Sequence, residues 1–267
     1  MKKPFQSAVS FLLARIPDDD PRTVLDEYFG DSLECTQSIS LSALFQRILS
    51  SAQNANMKKG VIGGSIGGFS NLGKALFKFN PSRVGREFAG NPELLLAHIR
   101  ETLQPRGAIR TSSKSIWPKY CKTVLSSAAF LSQFKKGDEF RAWADHLYSD
   151  QRTMAALPLI IAAEVEGMGY ALACDFLKEL GYIGYGKPDV HVKEIFIGLG
   201  LCLPNATPYQ IQKAISQVAK AERASPYDVD KVFWLIGSGY FYKHKGIGKK
   251  GHIGRMKKSF LAEFSEV

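Results

Sequence analysis

Val165-Glu166-Gly167-Met168-Gly169-Tyr170-Ala171-Leu172-Ala173 is the stretch on which the fold turns, and Pro188-Asp189-Val190-His191-Val192 follows it, with Asp189 22 residues after Gly167. Pro158 opens a short apolar run, Leu159 to Glu164, that predicts a helix; proline is tolerated at a first helical position, where its missing N–H would have no partner anyway. Gly167 and Gly169 break that helix. A second is predicted over 170–180, with Ala173, Phe176, Leu177 and Leu180 on one face and Gly181 just past its end. A tight turn between two helices needs residues that tolerate positive φ. The same absence of side chains lets a phosphate reach the N–H groups that open the second helix. An ordinary helix-turn-helix corner carries the same pattern.

Asp189 follows a loop, Tyr182-Ile183-Gly184-Tyr185-Gly186-Lys187-Pro188, marked by its glycines and proline. After it, Val192, Ile195, Phe196 and Leu199 form a helical stripe. Asp189 therefore reads as the N-cap of a third helix, a place aspartate favours without any further role.

Taken together, these residues resemble the signature of the helix-hairpin-helix DNA glycosylases, named for the hairpin, a Gly/Pro-rich loop and an aspartate. In that family the catalytic aspartate lies 22 residues after the first hairpin glycine, and a histidine two residues later recurs in some members; Asp189 and His191 fill those places. Ser225-Pro226-Tyr227-Asp228 and Val229 to Gly237 resemble the family's closing helix. The resemblance implies an all-α, two-lobed fold with the active-site cleft between the lobes. Asp189 would be catalytic, His191 would support it, and Gly167, Met168, Gly169 and Tyr170 would grip DNA. Relatives that also cut the strand carry a lysine four residues after the first hairpin glycine, which attacks the sugar as an amine. Ala171 stands there. A monofunctional enzyme is implied, with water as nucleophile, an abasic site as product and no cofactor. Glu166 replaces the family's usual proline, and its carboxylate must point away from DNA for the grip to work.

Some relatives hold an iron–sulfur cluster on four clustered cysteines. Cys35, Cys121, Cys174 and Cys202 are far apart, so no cluster is expected. Cys174 and Cys202 read as small core residues in apolar helices, and scattered cysteines fit a reducing compartment.

The chain has 267 residues, 45% hydrophobic, with a net charge of +10. That is a globular protein suited to a polyanionic partner. Met1-Lys2-Lys3 and the apolar residues after it faintly mimic a signal peptide, but Arg15 and Asp18-Asp19-Asp20 follow at once, so the segment reads as part of the fold. No stretch is long and apolar enough for a membrane span. Double-stranded DNA with a damaged or modified base is the expected partner, met by a monomer inside the cell, in a cytoplasm of bacterial type or wherever the DNA is kept.

Between Lys243 and Lys258 lie seven Lys or Arg residues, two histidines and no acid, interleaved with Gly246, Gly248, Gly251 and Gly254. Such a run can track phosphates, and Lys249, Lys250 and Arg255 are the chosen contacts; a solvated loop is the alternative. A helix over 41–54 ends in Ser51-Ala52-Gln53, a loose match to a family element whose Gln enters the gap left by the flipped base. Gln53 is the candidate for that role, with a helix C-terminus capped by polar side chains as the alternative. The glycine-rich loop at 57–70 lacks P-loop spacing. Trp117, Tyr120 and Trp234 are aromatic candidates for the base pocket, with core packing as the alternative.

Further helices are predicted over 22–29, 91–103, 115–133, 136–148, 207–223, 226–236 and 256–264, with no strand pairs. Residues 1–54 with 187–267 are expected to form the lobe carrying Asp189, and 55–186 the lobe carrying the hairpin, at about 158–181. The excised base is expected to be an alkylated purine or another modified base. Two alternatives stand beside it: excision of a hypermodified base from invading phage DNA as a defence, and a noncatalytic helix-hairpin-helix DNA-binding protein.

Overall fold

The computed structural model describes residues 3–30, 39–53 and 61–266. The regular structure of the described residues is helical, α1 to α15, with a 3-10 turn at Phe69–Asn71. Their only β pairings are isolated bridges of Tyr240 and Lys249 with His252. The chain divides into two compact units, Met1–Cys35 with Leu177–Val267, and Thr36–Phe176.

The continuous unit is built on α8 (Ile116–Leu131). Against it pack α3 (Leu41–Ala52), α6 (Pro81–Phe88) and α7 (Pro92–Leu103). Leu44, Ile48, Val84, Phe88, Leu95 and Ile99 are buried there, at intervals of three or four residues along their helices, with Val124, Ala128 and Leu131 of α8. Each such side chain contributes about 1.5–3 kcal/mol by leaving water. Phe130 and Phe134 stack edge-to-face with Phe140 of α9 (Gly137–Tyr148), which meets Phe176 in turn. The remaining helices of this unit are α4 (Val61–Ser65), α5 (Leu72–Ala75) and α10 (Ala156–Glu164), with α11 (Tyr170–Lys178) running out of it.

The discontinuous unit is organised on α14 (Pro226–Ser238), whose Val229, Val232, Phe233, Leu235 and Ile236 are fully buried. Around it lie α1 (Pro4–Leu13), α12 (Val190–Gly198), α13 (Pro208–Glu222) and α15 (Lys257–Glu266), with α2 (Pro21–Asp26) beside α1. Six helices start on a proline, and five of those have a polar cap residue just before it whose side chain accepts a backbone N–H.

The units part at 35/36 and 176/177, not at 54/55 and 186/187. The reason is packing. Tyr120 donates its hydroxyl to the Leu49 carbonyl (2.9 Å), which ties α3 to α8. Lys178 pairs with Asp230, which ties the end of α11 to α14. Pro158 is the third residue of α10, not the first. It is tolerated there because the first four N–H groups of a helix have no intrahelical partner. Val61–Ser65 is a short helix rather than loop, residues 66–70 pass through a turn and into the 3-10 turn at Phe69–Asn71, and 57–60 of the predicted glycine loop lie outside the described residues. Cys202 lies in a bend after α12, half-buried, rather than in a helix. Cys121 and Cys174 are buried, and Cys35 lies outside the described residues.

Candidate active site

The hairpin joins α10 to α11. Gly167 has φ +82°, which only glycine adopts at little cost, and a Cβ there would come within 2.8 Å of Thr123 Oγ1. Met168 N–H donates to the Val165 carbonyl (3.1 Å), and its side chain is buried, so Met168 anchors the turn from inside. Gly169 is exposed, and a Cβ there would meet nothing within 4 Å. Its carbonyl accepts from Leu172 and Ala173, which starts α11. The Tyr170 ring is buried as well. Glu166 resolves the charge conflict of the sequence: its N–H donates to Ser126 Oγ (2.9 Å) and its carboxylate faces Lys122 of α8 at 3.5 Å. Ala171, half-buried in the first turn of α11, has no nucleophile to offer.

Asp189 caps α12. Its Oδ1 accepts from His191 N–H (2.8 Å) and Val192 N–H (3.1 Å). Both bonds fall on one oxygen, so Oδ2 keeps its lone pairs for another partner. Burial raises the carboxyl above the usual aspartate range, and the Asp230 carboxylate on α14 raises it further; the Val192 N–H, His191 and Lys187 oppose them. A fixed, partly desolvated carboxylate with one open oxygen can stabilise a developing cation or take a proton from water.

His191 stands half-buried on the first turn of α12 with its ring edge-to-face on Trp234 (centroids 6.4 Å). Trp234 also meets Tyr242 at 5.9 Å, and the Tyr242 hydroxyl accepts from Lys231 Nζ (3.1 Å). Of the three aromatic candidates, Trp234 is the one the structure brings beside the Asp189 helix. Trp117 and Tyr120 are buried in the other unit against each other (6.2 Å), with the Tyr120 hydroxyl spent on Leu49, which is core packing.

The basic run is an ordered loop. Phe241 and Ile247 are buried anchors, and Phe241 N–H, Gly251 N–H and Ile253 N–H bond back to Gly251, Ile247 and Gly239 carbonyls. Tyr240 and His252 stack at 4.2 Å. Lys249, Lys250 and Arg255 are all exposed. Gln53 is the C-cap residue of α3 and is buried (8% exposed), with its Oε1 unpartnered among the described residues.

Among the described residues no group of three His, Cys, Asp or Glu is placed to hold a metal ion, and no helix is long and apolar enough to cross a membrane. Sequence reasoning missed Lys178 and Asp230, which are 52 residues apart and buried together. The one available signal was Asp230-Lys231 set inside the apolar run of α14.

No protein-family model matches the chain, and no curated protein does. Among solved structures, the 8-oxoguanine glycosylase/lyase of Methanocaldococcus jannaschii, in complex with DNA containing 8-oxoguanine, is similar at a TM-score of 0.52 and 15% identity, over 86% of this chain and 99% of that one. The 8-oxoguanine DNA glycosylase of Thermotoga maritima aligns at 0.49 and 16%, over 89% and 99%. A trapped endonuclease III–DNA covalent intermediate aligns at 0.49 and 12%, over 90% and 88%. With the hairpin and the Asp189 cap in place, the chain has the helix-hairpin-helix DNA glycosylase fold.

Proposed function

We propose that the protein is a monofunctional DNA N-glycosylase that turns a damaged or modified base out of the duplex and hydrolyses its bond to the sugar. The observation that carries this reading is Asp189: a carboxylate with Oδ1 locked by two N–H groups and Oδ2 open, in a glycosylase fold. A base inside a duplex cannot be reached, so it is flipped, most cheaply where pairing is already weak. As the N-glycosidic bond breaks, its electron pair leaves with the base and positive charge builds on the sugar. Asp189 stabilises that charge, water adds to C1′, and the carboxylate takes the proton water gives up. Its raised pKa makes it a better base for that proton. With Ala171 in place of an amine, no covalent intermediate forms, and the product is an unbroken strand with an abasic site.

The hairpin N–H groups, Lys249, Lys250 and Arg255 hold phosphates, and Trp234 with His191 borders the reacting base. The protein works as a monomer in the compartment that holds the DNA. The experiment is a panel of duplexes, each with one altered base: an alkylated purine, 8-oxoguanine, a mismatched pyrimidine and a hypermodified pyrimidine. Release of one of them is expected, with strand cleavage only after alkali and no adduct trapped by borohydride. A trapped adduct overturns the monofunctional mechanism. Release confined to the hypermodified base assigns a defence role, and no release from any duplex leaves a noncatalytic DNA-binding protein.

A further inference from the structure

Lys178 Nζ lies 2.5 Å from Asp230 Oδ2, and both side chains are almost sealed from solvent, 5% and 1% exposed. A buried pair of this kind is a poor stabiliser, because taking two charges out of water costs about what their attraction returns. Its place in the fold gives it another use. Asp230 sits in the second turn of α14, and the loop that delivers Asp189 is fastened to the start of the same helix. Tyr227 N–H donates to the Ile183 carbonyl (3.0 Å), and on α13 Gln212 Oε1 accepts from Gly186 N–H (3.1 Å). A Cβ at Gly186 would lie 2.8 Å from Asp230 Cβ and 2.9 Å from the Pro226 carbonyl oxygen, so glycine lets the loop lie directly on α14. Asp230 thus backs the loop three residues before Asp189, and its charge acts on the Asp189 carboxyl. Lys178 holds Asp230 Oδ2, while Oδ1 has no hydrogen-bond partner among the described residues. The Tyr227 ring, 5.4 Å from Lys178 Nζ, closes the other side of the ammonium.

We infer that Lys178 is a positioning residue for the chemistry of Asp189: its ammonium offsets the charge of Asp230, which backs the loop that delivers Asp189. This rests on the glycosylase reading of Asp189. The other charged groups that act on Asp189 are His191 on its own helix and Lys187 in the loop. From α15, Lys257 is taken up by Glu194.

The test compares the wild type with Lys178→Met, Asp230→Asn and the double variant. Two quantities are read: the pH dependence of single-turnover excision, and the carboxyl titration of Asp189 in the free protein by carbon-13 NMR. Lys178→Met moves the acid limb and the titration to higher pH, because Asp230 is left uncompensated. Asp230→Asn moves both to lower pH, and the double variant returns towards the wild type. DNA affinity stays the same in all. If Lys178→Met fails to fold, Asp230→Asn and the double variant still decide. Unshifted limbs and titrations, with only the melting temperature lowered, overturn the inference and leave the pair as a tie between α11 and α14. The NMR measurement needs no base release. A wild type inert on every duplex therefore sinks the glycosylase reading, whereas unshifted titrations sink the role of Lys178.

Discussion

The Lys122 ammonium lies 3.5 Å from the Glu166 carboxylate, one residue before the hairpin turn. Both side chains are exposed enough that the pair adds little to stability. Its effect is on direction: it draws the acid towards α8 and neutralises it beside the hairpin, whose backbone is proposed to hold phosphate. Lys122→Ala is expected to weaken DNA binding with little change in melting temperature, and adding Glu166→Gln should restore it. Equal affinities for the single and double variants, measured by titration at low salt, would mean that Glu166 never opposes DNA.

Gly167 and Gly169 should separate under substitution. Gly167→Ala forces a side chain into positive φ and onto Thr123, and should destabilise the protein by about 1–3 kcal/mol. Gly169→Ala meets open space, so it should leave stability within about 0.5 kcal/mol and lower DNA affinity by obstructing phosphate. Chemical denaturation and DNA titration of both variants check this. A Gly169→Ala protein that binds DNA as the wild type does would show that no phosphate approaches there.

Asp189→Asn should keep DNA affinity and reduce excision by roughly 10²–10³-fold or more, in line with losing one preorganised electrostatic group. Excision by the wild type should fall as pH drops through the raised carboxyl pKa, at a higher pH than an ordinary aspartate would give. Stability should move the other way. Above the folded-state pKa both folded and unfolded chains carry the ionised group, and only the folded chain bears the cost of enclosing it beside Asp230. Asparagine caps helices as well as aspartate does. The variant should therefore melt higher than the wild type near neutral pH, an advantage that shrinks as pH falls towards the unfolded carboxyl value. A lower melting temperature at neutral pH would mean that Asp189 is held by more than its cap.

Replacing Lys249, Lys250 and Arg255 with alanine should weaken binding to all duplexes alike. Each lost phosphate contact should flatten the slope of log affinity against log salt by about 0.9. Because the loop is anchored by buried Phe241 and Ile247, its fold should survive the change. An unchanged slope would assign the phosphate contacts to other cations.

The legible parts of this molecule are those written in short stretches of chain. The glycine pair and Asp189 are 22 residues apart, and the N-cap role of Asp189 follows from the stripe behind it. Helix starts such as Ser225-Pro226 carry their own signal. Other features were illegible for physical reasons. Pro81–Phe88 buries only Pro81, Val84 and Phe88, too narrow a stripe to stand out among Ser82, Arg83, Arg86 and Glu87; the Asn80-Pro81 cap was its one local sign. The place of α3 in the continuous unit rests on its packing against α8, where Tyr120 reaches the Leu49 carbonyl 71 residues away. Lys178 and Asp230 are 52 residues apart, and nothing local in the chain pairs them; the fold buries them together.

The discontinuous unit sets an order of events during synthesis. α1 is made before the continuous unit, with Ala8, Phe11 and Leu12 ready for a core, yet α14 and Phe260, against which they pack, come only after the whole of Thr36–Phe176 has been made. The nascent chain thus carries an unsatisfied apolar helix ahead of the continuous unit while that unit can already fold, a state that invites chaperone protection. The turn at Gly167–Gly169 belongs to that unit and is made long before α14 arrives to back the Asp189 loop, so a stalled ribosome would display the turn without the carboxylate set in place.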